Sequence, residues 1–155
     1  MSESTTFEFI VAVERLSAFG DELATLVESV GCGVEQESGI NPTALPQLLR
    51  SLAAGQRGQE CLTLGFTEDV ALREFQAENP ELRSRDPGTV AVGCFWLSCT
   101  HSEGKYSVQL TSATRSISSL MKESVSVQVA FCTLAQRTNV GEVQVINEWN
   151  EVSVL

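Results

Sequence analysis

Thr89-Val90-Ala91-Val92-Gly93-Cys94-Phe95-Trp96-Leu97 is the segment around which the rest of the chain can be arranged. Val90, Val92, Cys94 and Trp96 fall on one alternating face, and Ala91, Phe95 and Leu97 on the other. Successive strand side chains point to opposite faces, so a run apolar on both predicts a central strand covered on both sides. Ser102-Glu103-Gly104-Lys105 then supplies a turn, and Tyr106 to Thr111 follows as an antiparallel partner.

Working back towards the start, Glu60 to Phe66 reads as another strand. Glu68 to about Gln76 reads as a short helix, before a charged loop through Pro80 and Pro87. Leu45, Leu48, Leu49 and Leu52 line one face of a helix that Asn41 or Thr43 would cap and Gly55 and Gly58 would end. Gly31 to Asn41 is polar and reads as a loop. The chain opens with a strand in which Phe7, Phe9, Val11 and Val13 alternate with Glu8, Ile10, Ala12 and Glu14. A link through Ser17 and Gly20 leads to a helix with Leu23, Leu26, Val27 and Val30 on one stripe. Asp21 and Glu22 lie in its first turn and Gly31 is its stop.

Beyond the hairpin, Ser116 to Asn139 supports two readings. Val125, Val127, Val129 and Phe131 alternate as in a strand. Leu120, Val127, Phe131 and Leu134 instead fall at near-helical spacing, as do Met121, Val125, Val129 and Cys132. The length of the run and its Arg137-Thr138-Asn139 ending favour one long buried helix. Glu142 to Ile146 alternates as a strand, Asn147 to Asn150 carries turn chemistry, and Val152, Val154 and Leu155 close a hairpin. With no repeat, low-complexity linker or internal boundary, residues 1–155 read as a single α+β domain: a mostly antiparallel sheet with three to four helices packed against it.

Composition narrows the function. The chain has 155 residues, 43% hydrophobic and 19% charged, an ordinary globular mixture that excludes disorder. No stretch approaches the apolar length of a membrane span, and Glu3 stands where a secretory signal carries a base, so a cytoplasmic protein is expected. The five cysteines (Cys32, Cys61, Cys94, Cys99, Cys132) are odd in number and mostly set among apolar neighbours, which reads as reduced, buried thiols. Net charge is −10 and unevenly placed. Residues 1–40 hold eight acids against Arg15 alone, for −7; residues 41–155 hold twelve acids and nine bases, for −3. Such a field opposes nucleic acid and anionic membrane and draws in a basic partner.

Catalytic chemistry is hard to find. His101 is the one histidine, with Cys99 two residues earlier on the same strand face. A zinc site there would need two further ligands, and neighbouring strand positions are a poor arrangement for a nucleophile and its base. Gly31-Cys32-Gly33 follows a helix instead of a strand, so it lacks the context of a phosphate loop. Glu68-Asp69 and the mixed charges around Arg73, Arg83 and Arg85 read as solvated surface. No catalytic residue, metal or cofactor is therefore assigned. Trp149, flanked by Glu148 and Glu151 in a turn, reads either as an interface anchor or as a ring folded back over the sheet edge.

A β–α opening, a hairpin-paired strand over Thr89–Thr111, the helical run Ser116 to Val125 and a terminal hairpin over Gly141–Leu155 together resemble small immunity proteins of bacterial polymorphic toxin systems. The resemblance implies stoichiometric covering of a cognate toxin, and the net charge points to a basic one. It assigns no residue roles. The acidity itself picks out Glu14, Asp21, Glu28, Glu35 and Glu37 as the first candidate surface, and Glu148, Trp149 and Glu151 as the second. The competing expectations are a small enzyme or ligand-binding domain with a pocket near His101 and Cys99, and an acidic secretion chaperone.

Overall fold

The computed structural model of the chain describes residues 3–28, 44–84 and 86–155. Asn41, Thr43, Glu35, Glu37, Cys32 and Arg85 lie outside these residues. Six strands form one sheet: β1 Thr5–Ala12, β2 Glu60–Thr67, β3 Thr89–Ser102, β4 Lys105–Ser112, β5 Gln144–Asn147 and β6 Val152–Val154. Their spatial order is β2-β3-β4-β1-β5-β6, and every neighbouring pair is antiparallel. Five α-helices accompany the sheet: α1 Leu16–Ala24, α2 Leu45–Ala53, α3 Val70–Glu78, α4 Arg115–Glu123 and α5 Val125–Arg137. The α+β class and antiparallel sheet are as expected. The helix count exceeds three to four because the run read as one long helix is two.

Ser124 causes that break. Its backbone is extended (φ −80°, ψ 117°), its N–H donates to Leu120 O at 2.8 Å, and its Oγ accepts from Val127 N–H at 3.1 Å. One residue thus closes α4 and caps α5, as a short hydroxyl side chain can and a large apolar one cannot. Of the two apolar stripes read there, Leu120, Val127, Phe131 and Leu134 are buried, whereas Val125 and Val129 are exposed.

The first helix also shifts from the sequence reading. α1 begins at Leu16 and buries Leu16, Phe19, Gly20 and Leu23, so Ser17 and Gly20 lie inside the helix instead of in a link. Gly20 is there for contact: a Cβ at this position would lie 2.9 Å from both Cγ and N of Pro46 at the start of α2. After α1, Val27 bridges to Leu64, and Leu26 and Glu28 run beside the outer edge of β2.

All five helices share one hydrophobic cluster with the inward side chains of the sheet. Phe7, Phe9 and Val11 from β1, Val108 and Leu110 from β4, and Phe95 and Leu97 from β3 point into it. Phe131 of α5 sits at the centre, its ring 5.1 Å from that of Phe7 and 5.8 Å from that of Phe66. Among the described residues no helix is long and apolar enough to cross a membrane.

Two expectations about β3 are corrected. Val90, Ala91 and Val92 are buried in succession, but beyond Cys94 the strand alternates, with Phe95, Leu97 and Cys99 buried and Trp96 38% exposed. Coverage on both sides therefore stops halfway along. Cys61 and Cys94 are joined by a disulfide (Cα–Cα 5.5 Å), whereas Cys99 and Cys132 are free thiols. An irregularity in the β2–β3 register between Leu62↔Phe95 and Leu64↔Val92 brings Cys94 alongside Cys61, a shift that residue counting cannot reveal.

Candidate functional site

All five helices pack into one core, and on the opposite side of the sheet Thr63 and Ala91 are covered while the part from Trp96 across to β6 is open among the described residues. Direct strand partners share a face, so the register traces a row straight across it: Cys61, Trp96, Thr111, Thr6, Ile146 and Val152. A second row runs through Ser98, Gln109, Glu8, Gln144 and Val154. These positions are hydroxyl, amide or apolar apart from Glu8, whose Oε2 accepts from Ser107 Oγ and Gln109 Nε2, both at 2.7 Å. Thr6 and Thr111 hydroxyls bond across the strands at 2.8 Å. A chain of net charge −10 thus presents a nearly uncharged, hydrogen-bonded sheet face. Charge depletion of this kind marks interface cores.

The hairpin between β5 and β6 borders that face. Asn147 holds its tip: Oδ1 accepts from the N–H of Trp149 and of Glu151, both at 2.9 Å, and Nδ2 donates to Glu151 Oε1 at 2.8 Å. Asn150 N–H closes the turn onto Asn147 O at 3.0 Å, and Asn150 takes a positive φ of 61°, which asparagine tolerates. Trp149 is 61% exposed on this fixed turn, so it does not fold back over the sheet. Glu148 is half-buried. Its Oε2 is enclosed with no hydrogen-bond partner among the described residues. Its charge helps raise the Lys122 pKa, after the larger effect of the Lys122–Glu3 hydrogen bond.

Of the acids expected to form the first surface, Glu14, Asp21 and Glu28 are described, and each lies on a different element. Glu14 and Asp21 are exposed, Glu14 just past the end of β1 and Asp21 on α1. Glu28 is partly buried, and its Oε1 accepts from Ser84 Oγ at 2.7 Å. Glu35 and Glu37 lie outside the described residues. Glu148, Trp149 and Glu151 belong to the other end of β1, where Thr5 pairs with Asn147. At roughly 3.3 Å per residue, the eight residues of β1 put about 25 Å between Glu14 and this turn.

His101 and Cys99 do not form a working pair. The His101 ring is exposed and lies against Tyr106, with centroids 4.7 Å apart. Cys99 is buried, and burial pushes its thiol up to about 11, away from the thiolate that a nucleophile requires. A cleft of about 160 Å³ lies elsewhere, between α1 and α5, with Glu22, Ala130, Leu134 and Arg137 among its walls. No group of three or more metal-ligating side chains occurs among the described residues.

Asp69, read from the sequence as surface, is structural. Its Oδ1 caps α3 through Leu72 N–H at 2.8 Å; its Oδ2 accepts from Ser124 Oγ at 2.7 Å and Ser126 N–H at 3.1 Å. It therefore ties α3 to the joint between α4 and α5. The residues that sequence reasoning missed are Trp96, Ile10, Val152 and Val154 on the open face. The signal for Trp96 was present in its alternation with Phe95, Leu97 and Cys99 and its phase with Ser98 and Thr100. Comparison with known proteins finds no matching family model, no matching curated protein and no matching solved structure.

Proposed function

We propose that this chain is a non-catalytic binding protein that neutralises a cognate basic toxin by covering it one to one, in the manner of an immunity protein. The observation that carries the reading is how the aromatic rings are sorted. All seven phenylalanines are buried, and both tryptophans are exposed. Folding gains nothing from leaving the two largest apolar side chains in water, whereas tryptophan is prominent among residues that dominate binding energy at interfaces. The net charge of −10 favours a basic partner and speeds its encounter. The protonated, buried Cys99 weighs against the enzyme reading.

Titration tests it. A basic protein recovered on the immobilised chain at low salt is assayed for its toxic activity against increasing amounts of free chain. Activity should vanish at one equivalent, and the association rate should fall as salt rises. Inactivation by a small fraction of an equivalent, or residual activity at large excess, overturns stoichiometric covering. A chain that elutes as a stable dimer and inhibits nothing points to the chaperone instead.

A further inference from the structure

Each strand carries backbone donors and acceptors on both of its sides, so an open sheet has two edges to satisfy. Here the β2 edge is occupied. Gly65 N–H donates to Leu26 O at 2.7 Å, and Glu28 N–H donates to Thr63 O at 2.8 Å. The β6 edge has no such cover among the described residues.

The hydrogen-bond parity of the last hairpin shows which atoms are left over. In an antiparallel ladder, bonded residue pairs alternate with open ones. Asn147 N–H donates to Glu151 O at 3.1 Å, and Leu155 N–H donates to Val143 O at 2.9 Å. In the same register, Val145↔Ser153 is a bonded pair. Val152 and Val154 fall between these pairs, so their N–H and C=O groups point away from β5. Their side chains are 59% and 56% exposed. The strand is three residues long, short for an edge, but it carries no proline, charge or bulge to block pairing.

Unpaired backbone groups at strand spacing fit an extended peptide and little else. The surrounding charge says which peptide. Glu142 and Glu151, both exposed, lie next to the two strands of this hairpin, Glu148 is turned towards Lys122 instead, and no lysine or arginine occurs from Thr138 to Leu155. We propose that the β6 edge takes an extended basic segment of a partner protein as a seventh strand, with Val152 and Val154 supplying its backbone partners and Trp149 an apolar anchor beside it. The proposal rests on the reading that the chain binds a basic protein, and it names where and through what element. A second copy of this chain fits the edge poorly, because it would bring like acidic flanks together on two molecules of charge −10.

The experiment uses the full isotope-labelled chain and a capped nonapeptide of alternating lysine and valine, with its glutamate counterpart as control. At low salt the lysine peptide should shift the Val152 and Val154 amides and slow their hydrogen exchange, and the glutamate peptide should do neither. Val154→Pro removes one outward N–H without taking a bond from the β5 ladder, so unfolding should be unchanged while peptide affinity falls about tenfold. Shifts centred on Asp21 and Glu22, unprotected Val152 and Val154 amides, or dimerisation through β6 without peptide would each overturn the edge assignment. If V154P binds the captured toxin with the Kd of the parent chain, the edge is wrong and the binding function stands. If the unmodified chain neutralises nothing, the broader reading fails on its own.

Discussion

The two faces of the sheet are built from the same six strands and obey different rules. The inward face gathers Phe7, Phe9, Phe66 and Phe95 around Phe131, with ring centroids between 5.1 and 6.2 Å apart. The outward face carries threonine, serine and glutamine interleaved with Ile10, Trp96, Val152 and Val154. Strand periodicity ensures that one set cannot move without the other. The inward set accounts for why the chain folds, but folding alone does not account for the apolar members of the outward set. The difference separates residues selected by packing from those available to a partner.

The sharpest way to break this contrast is through its centre. Phe131→Ala should cost about 3–5 kcal/mol in denaturant unfolding, since the ring leaves a cavity between three strands and the helix layer. A loss under about 1 kcal/mol would mean that the aromatic cluster does not organise the core. Next comes the covalent link on the outward side. Cys61 pairs with the outward-facing Trp96, and the Cys61–Cys94 bond closes a separation of 33 residues. Loop-closure entropy gives about 3–4 kcal/mol for its loss, so Cys61→Ser should lower the unfolding midpoint accordingly. Non-reducing peptide mapping should recover the two cysteines in one linked product. Unlinked peptides, together with a serine variant as stable as the parent, would leave the outward face with no covalent support.

Asp69 gives a smaller, pH-dependent effect on the helix side. Burial works to raise its pKa, but donation from Leu72 N–H, Ser124 and Ser126 outweighs burial and holds the carboxyl below its ordinary value. A carboxyl with a depressed folded pKa contributes stability that is present above its unfolded pKa, near 4, and lost as pH falls through the folded value. Asp69→Ala should cost about 1–2 kcal/mol at neutral pH, chiefly as a lost cap, and the gap to the parent should narrow as pH drops below about 4. A gap constant with pH would show that contacts other than the ionised carboxylate hold α3 to the α4–α5 joint.

How much of this was legible depended on what each signal measures. The strands β1, β2, β4 and β5 follow from alternation, and the leucine face of α2 from spacing, because both are local periodicities. Register is not local. The irregularity that brings Cys94 to Cys61 depends on how two strands slide, and the open side of Trp96 depends on where helices distant in sequence pack. Gly20 was read as a link because glycine usually breaks helices; its actual role is set by Pro46, a contact between elements. Ser124 and Asp69 look like ordinary polar residues until tertiary structure brings them together. Counting carboxylates along the chain likewise cannot show that Glu28 is engaged by Ser84 or that Glu14 and Glu151 lie near opposite ends of β1.

The smallest effect on stability falls where the largest effect on binding is expected. Trp149 sits on a turn whose hydrogen bonds come from Asn147 and from backbone atoms, none of them from the indole. Trp149→Ala should therefore leave unfolding within about 0.5 kcal/mol of the parent. Trp96→Ala, on a ring only 38% exposed, should cost more, about 1 kcal/mol. If both rings anchor a partner, either change should weaken binding by about 2 kcal/mol, roughly thirtyfold, at nearly intact stability. A Trp149 variant that unfolds easily would instead place the ring in the core side of the contrast. A stable variant with undiminished affinity would leave the sheet face, with Trp96, as the exposed tryptophan contact available to the partner.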